Sequence, residues 1–281
     1  MIYVFLWALI NAAPMLFTMV TERRTFPKAE HIGSKYEPFL RKDRKFWTFP
    51  LALITQFVFW PRMIIGWICV SGCIIVANLV DCRRDLEKEK LSKTRRVTIQ
   101  LAMAFFARMH SLMGGCVYSR VERVDVDYSK YLGKEYKKTY DGAGIHVCNH
   151  LHMYDIIHGI YLMWQGGYQA SFIGKRELTH IPLLGKLVTP LESLLVGRDN
   201  KDAKEKRDVL MEQVKARQLA AEEGTERPLT IFPEGCSTSG EYVIRFKKGA
   251  FVSLRKVKPF CMNYWSPTPI NPATGGGIGF V

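Results

Sequence analysis

The chain has 281 residues, 48% of them hydrophobic and 23% charged, with a formal net charge of +14. That length holds one sizeable domain with appendages, and so positive a balance points to anionic partners: nucleic acid, lipid headgroups or phosphate-bearing cofactors. Zinc-finger spacing and the aromatic signature of an RNA-recognition sheet are both lacking, which sets nucleic acid aside and leaves the membrane surface as the better reading.

The apolar residues are unevenly spread. Met1–Val20 carries almost no charge and is about long enough to cross a bilayer, with Arg23 and Arg24 following it. A cleaved signal peptide carries its positive charge ahead of the apolar run. Residues 1–22 therefore read as a retained anchor with its basic flank in the cytosol; cleavage near Ala12–Ala13 is the competing reading. Residues 46–80 form a second apolar block, broken at Pro61-Arg62 into arms each marginal for a span. Arg41, Lys42, Arg44 and Lys45 precede it and Arg83 and Arg84 follow, so both ends belong on one side of the membrane. A hairpin dipping into the cytosolic leaflet satisfies these facts, and two full spans also return the chain to that side.

After a charged connector, Val97–Cys116 is apolar with polar breaks at Gln100, Arg108 and His110, the pattern of a helix lying on a membrane or packed on a domain. The seven cysteines, an odd number without a C-x-x-C pair, argue for reduced thiols and a cytosol-facing domain. From Val121 short β-like runs alternate with helical ones. Strands are predicted at Val121–Val126, Gly144–Cys148, Gln169–Ile173, Ser193–Val196, Leu229–Phe232 and Val257–Tyr264, and helices at Tyr154–Trp164, Leu178–Val188 and Lys201–Glu223. The alternation predicts an α/β domain over residues 97–281, a mixed β-sheet flanked by helices and preceded by membrane-associated helices. Val209, Leu210, Val214 and Leu219 are the inward candidates of the long amphipathic helix. The Gly-rich TGGGIGFV is an unusual place to finish a domain, so the fold is expected to continue past it.

The chemistry-bearing stretch is NHLHMYD, in which Asp155 stands five residues after His150, followed roughly eighty residues later by FPEG (Phe232 to Gly235). A histidine takes a proton from an alcohol near neutral pH, and a carboxylate on its far nitrogen fixes the tautomer and steadies the imidazolium. With His150 in the loop after a strand and Asp155 in the first turn of a helix, the carboxylate reaches back to the ring and the helix dipole favours its charge. No G-x-S-x-G elbow accompanies the pair, so a substrate hydroxyl is expected to attack directly, without a covalent acyl-enzyme.

These residues, with GKRELTHIPLLGKL, LLVGRD, FPEGCSTSGEYVIRFKKGAF and VKPFCMNY in that order, resemble the glycerolipid acyltransferase family, the His-x4-Asp enzymes that acylate glycerol phosphates and lysophospholipids. The resemblance runs from about Val97 to Pro267. It implies that His150 is the general base that deprotonates the acceptor hydroxyl as it attacks an acyl-CoA thioester, and that Asp155 orients it. Arg198 matches the motif arginine that holds the acceptor's phosphate, a role suited to a planar guanidinium fork. Glu234 and Gly235 match a Glu-Gly pair associated with acceptor binding. Lys175, with Pro182 and Gly185, matches a motif that shapes the substrate tunnel. Lys247 and Lys248 are candidates for phosphate contact, or simply a solvated face. Cys236 stands where the family usually has threonine, which puts the role of that position in doubt.

The resemblance further implies no permanently bound cofactor and no metal, acyl-CoA as co-substrate, and an acceptor of the lysophosphatidylcholine or lysophosphatidylethanolamine type, with lysophosphatidic acid as the alternative. It implies the cytosolic face of an internal membrane, the endoplasmic reticulum. Tyr242, Tyr264 and Trp265 are candidates to meet a choline headgroup by cation–π contact and equally candidates for the core. Two readings compete: a non-catalytic membrane scaffold, and a metal site built on His146, His150, His152, Asp155 and His158, whose spacing breaks the dinuclear hydrolase pattern.

Overall fold

The computed structural model describes residues 2–4, 6, 7, 10, 34–39, 49–82, 91–113, 116–136, 144–152, 155–169, 171–180, 190–196 and 203–265. Five strands, β1 (Ile145–Cys148), β2 (Ser171–Lys175), β3 (Leu194–Val196), β4 (Leu229–Ile231) and β5 (Val257–Phe260), form one sheet in the order β3-β2-β4-β1-β5. Every pairing is parallel: β1 runs beside β4 with Ile145 opposite Leu229, and beside β5 with Cys148 opposite Phe260. The mixed sheet expected from the sequence is thus corrected to a parallel one. The physical reason is in the connections, because each successive strand is separated by a segment long enough to return the chain to the sheet's starting edge.

Helices cover both faces. We label α1 Phe49–Val80, α2 Lys93–Met113, α3 Asp155–Gln165 and α4 Ala203–Glu222. On one face Ile145, Val147, Leu229 and Ile231 pack with Val214 and Leu210 of α4. On the other, Phe172 of β2 joins Ile160 and Met163 of α3, Ile99, Met103 and Ala107 of α2, and Cys73 and Ala77 of α1. Alternate residues of β1 face opposite ways, as strand geometry requires. Gly144, just before β1, leaves no room for a side chain against the Gln218 carbonyl of α4.

The block at residues 46–80 departs from expectation. It forms one continuous 32-residue helix through Pro61, so the hairpin reading is corrected. Proline removes one backbone donor and kinks a helix, but a run this apolar still gains more from continued helix than from a turn whose backbone groups need partners. Small residues let α1 approach α2: Gly72 lies under the Phe106 ring and Gly66 beside His110. Among the described residues no helix is long and apolar enough to cross a membrane. The outward face of α1 and α2 is nonetheless apolar, with Ile64, Trp67, Ile68, Ile75, Leu79, Leu101 and Phe105 exposed. The helix predicted from Val97 packs on the domain, between α1 and α3. The anchor expected at residues 1–22 lies mostly outside the described residues.

Beneath α2, a set of charged side chains ties the helical layer to the sheet. Arg96 grips Glu192 through two bonds of 3.1 and 3.2 Å and reaches the Thr225 carbonyl at 2.6 Å. Arg227, fully buried, donates to the Arg96 carbonyl, and its Nε lies 3.2 Å from Glu192, near enough for charge pairing though off the line of a hydrogen bond. Arg217 donates to the Glu192 carbonyl and pairs with Glu226 at 2.8 Å. Burial, ahead of the neighbouring charges, lowers the Arg227 guanidinium to about 10, still protonated at neutral pH. Glu192 has φ of 53°, a left-handed backbone rare outside glycine. These bonds hold it there, two residues before β3.

Other predictions shift. Val121–Val126 forms no strand, with Val124 80% exposed: its alternation has no apolar surface to face. In α4, Val214 is buried and Leu210 partly so, whereas Val209 and Leu219 face solvent. Of the helix predicted at Leu178–Val188, the described part belongs to a 3-10 turn, Arg176–His180, and the rest lies outside the described residues.

Candidate active site

The parallel sheet gathers the motifs at one edge. His150 follows the carboxyl end of β1, Lys175 ends β2, Glu234 follows β4, and Tyr264 follows β5. Parallel α/β sheets bind ligands beyond the carboxyl ends of their strands. Because β1 and β4 are neighbours, NHLHMYD and FPEG meet although they are separated by roughly eighty residues.

His150 and Asp155 pair as the spacing predicts, with Nδ1 and Oδ2 2.8 Å apart. Asp155 opens α3 and is fully buried. Its Oδ2 also accepts the backbone N–H of Leu151 at 2.6 Å and of His152 at 2.8 Å, and its Oδ1 accepts the Tyr264 hydroxyl at 2.8 Å. An acceptor so surrounded by donors is a carboxylate, which assigns the Nδ1 proton to His150 and leaves Nε2 as the basic nitrogen. The imidazole stacks on Phe232 at 4.5 Å between centroids, and its side chain stays 21% exposed. A buried carboxylate thus backs a ring that stays partly exposed.

Glu234 is 2% exposed and turns inward. Its Oε1 accepts the His150 backbone N–H at 3.0 Å and its Oε2 lies 3.4 Å from the Ile244 N–H. The Thr238 N–H in turn donates to the His150 carbonyl at 2.9 Å, so the FPEG loop grips both sides of the His150 backbone. Gly235 has φ of +74°, and a side chain there would strike the Lys247 amine, which lies over the turn. Lys247 closes the same turn with its own N–H on the Pro233 carbonyl. Cys236 is exposed beside it.

Arg198 lies outside the described residues, as do Pro182, Gly185 and the side chain of Lys175; in sequence Arg198 follows the end of β3 by two positions. His146, His152 and His158 are buried, whereas His180 is exposed. His146 lies against Tyr168 and Phe260, and burial, then nearby Lys258, lowers it to about 4. His158 shares a 2.9 Å bond with Ser111 of α2, and burial, with Arg108, His110 and His152, outweighs Asp155 to lower it to about 4. Among the described residues no group of three or more His, Cys, Asp or Glu side chains is arranged to hold a metal ion.

Two further residues support the corner. Asn149 exchanges two bonds with the Met262 backbone, 2.9 and 2.7 Å, hooking the extension of β5 to the residue beside His150. An amide side chain at a strand end, next to the motif histidine, was the available signal. Tyr264 is the other: of the two places read for it, headgroup or core, it takes the second, packed against Cys148, Leu151 and Met262, and its hydroxyl meets Asp155. Nothing in sequence marks that bond, which joins residues 109 positions apart.

Fold and corner define an α/β protein with a histidine–carboxylate pair at the carboxyl edge of a parallel sheet. The chain belongs to the acyltransferase family, whose family model matches residues 128–274. It is 33% identical over 109 residues to lysophospholipid acyltransferase LPCAT4 of Xenopus tropicalis, covering 39% of this chain and 20% of that protein. It is 34% identical over 95 residues to lysophosphatidylcholine acyltransferase 1 of Danio rerio, covering 34% and 17%. Against lysophospholipid acyltransferase LPEAT1 of Arabidopsis thaliana it is 30% identical over 123 residues, covering 43% and 29%. The matched stretch is therefore less than a third of each relative's length. No solved structure matches the chain.

Proposed function

We propose that this protein transfers a fatty acyl chain from acyl-CoA to the free hydroxyl of a lysophospholipid, of the lysophosphatidylcholine or lysophosphatidylethanolamine type. The observation that carries the reading is the His150–Asp155 pair, 2.8 Å apart and seated against the FPEG turn. The relatives, named as lysophospholipid and lysophosphatidylcholine acyltransferases, support the acceptor class.

In the proposed reaction His150 Nε2 removes the acceptor's hydroxyl proton as that oxygen bonds to the thioester carbonyl carbon. Asp155 holds the Nδ1–H and offsets the charge of the imidazolium. When the tetrahedral adduct collapses the carbon–sulfur bond breaks, and the coenzyme A sulfur takes the proton back from His150. The products are a two-chain phospholipid and free thiol, with no acyl-enzyme between. Arg198 is assigned the acceptor's phosphate, and Lys175 and Gly235 the neighbouring lining. Glu234 serves through the His150 backbone, since its carboxylate is buried and turned to main-chain N–H groups.

The site is proposed to work at the cytosolic face of the endoplasmic reticulum membrane. The apolar outer face of α1 and α2 and the net charge of +14 support a lipid surface as partner. The test is transfer from labelled long-chain acyl-CoA in membranes bearing the full chain, with lysophosphatidylcholine, lysophosphatidylethanolamine, lysophosphatidic acid and glycerol 3-phosphate offered in parallel. Label in the first two acceptors is the expected result. Label in lysophosphatidic acid alone moves the assignment to that acceptor, and label in none overturns the reading.

A further inference from the structure

Tyr264 has a place that neither its motif nor its chemistry as an aromatic explains. It lies four residues past β5, and the Asn149–Met262 exchange fixes the backbone two residues before it. Its ring meets the His158 ring edge-on at 5.6 Å, and its hydroxyl oxygen is 2.8 Å from Asp155 Oδ1. Asp155 thus divides its lone pairs. Oδ2 takes His150 and two backbone N–H groups, while Oδ1 takes the phenol. Burial, then the Asp155 charge, pushes the Tyr264 hydroxyl well above the usual phenol range, so it remains a donor throughout the working pH range.

We propose that Tyr264 is a positioning residue which sets the basicity of His150 by sharing the charge of Asp155. This rests on the reading of His150 as the general base. A carboxylate bonded on both oxygens is a weaker acceptor for Nδ1–H than one bonded on a single oxygen. Remove the phenol, and more of the carboxylate's charge falls on the imidazole, which then holds its proton more firmly. The phenol also fixes the plane of Asp155, and through it the direction of Nε2.

The charged and titratable groups around the pair come from each element packed there. Cys148 at the end of β1 and His152 on the loop flank it, and His158 follows on α3. The helical layer brings Arg108 and His110, with Cys116 beyond it. Glu234 comes from the FPEG turn and Cys261 from the end of β5. Only Tyr264 and His150 meet the carboxylate of Asp155 through side-chain hydrogen bonds among those the structure describes.

The test is the pH profile of His150 itself, read by carbethoxylation with diethyl pyrocarbonate and peptide mass spectrometry on the full chain in membranes. The reagent takes only neutral imidazole, so the readout needs no turnover. In Tyr264→Phe the His150 midpoint is expected to rise by about half a pH unit or more. With 3,5-difluorotyrosine at 264, a stronger donor of the same shape, it is expected to fall. A general loosening of the fold does not reverse sign between the two. In the acyl-transfer assay, Tyr264→Phe is expected to lower kcat about tenfold with KM for either substrate little changed, and to move the acid limb of the rate profile upward. A His150 profile unchanged in both variants overturns the proposal. Wild-type chain that transfers no acyl group overturns the proposed function instead, and leaves the shift in the His150 profile to be judged on its own.

Discussion

Asp155 and Glu192 are both carboxylates withdrawn from solvent, and they are surrounded by different kinds of donor. The Glu192 carboxylate lies against Arg96 and Arg227, fixed cations that take up its charge, while Arg217 donates to its backbone carbonyl. Asp155 is held by two backbone N–H groups and a phenol, neutral donors that orient it without cancelling its charge, and the remaining partner is the His150 ring. A charge matched by guanidiniums can only tie elements together. A charge held by neutral dipoles is still available to steady an imidazolium as it forms. The same residue chemistry therefore serves as a rivet under α2 and as an active carboxylate at the edge of the sheet.

The comparison breaks most sharply under substitution. Asp155→Asn keeps the shape but not the charge, so turnover should fall about a thousandfold or more while the thermal midpoint moves little. Steady-state kinetics beside a melting curve checks both halves. Glu192→Gln should do the reverse. It leaves Arg96 and Arg227 short of a counter-charge, which costs about 3 to 5 kcal/mol of stability, while the protein that remains folded keeps its kcat. Denaturant titration against specific activity separates the two; a Glu192→Gln enzyme of normal stability would show that the arginines hold nothing.

Acid should expose a second contrast. His146 and His158 are both lowered to about 4 from the ordinary 6.5. The unfolded chain therefore takes up protons there before the folded one does, and the stability concerned is whole above about pH 6.5 and is lost as pH falls toward 4. Each accounts for about 3 kcal/mol by its shift. His146→Leu should make the fall in melting temperature between pH 7 and 4.5 visibly shallower.

The smallest expected effect concerns Glu234. Gln in its place still offers an oxygen to the His150 N–H, so a loss of about 1 kcal/mol, about fivefold in kcat, is expected with acceptor KM unchanged. A rise in acceptor KM with kcat preserved would return Glu234 to the role its motif implies, as a group that touches the acceptor.

How much of this was legible depended on range. Ile145–Cys148 and Leu229–Ile231 announced themselves as buried apolar runs, and the His150–Asp155 bond followed from a five-residue step across a strand–helix junction. Local pattern failed where burial is decided elsewhere. Val121–Val126 alternates like a strand and has nothing to cover, while Val209 and Leu219 are apolar on a helix face that meets solvent. Pro61 read as a break because the packing of Gly66, Gly72, Cys73 and Ala77 that steadies α1 on α2 is invisible in a linear run. The arginine knot and the Tyr264 bond join positions 96, 129, 131 and 109 residues apart, distances at which one sequence carries no pairing signal.

The central claim is that His150 takes the hydroxyl proton. Acyl transfer from labelled acyl-CoA, by wild-type and His150→Ala chains at matched abundance in the same membranes, tests it most directly. The account predicts transfer by the first and only background by the second, with equal melting behaviour. Equal transfer by both would contradict it.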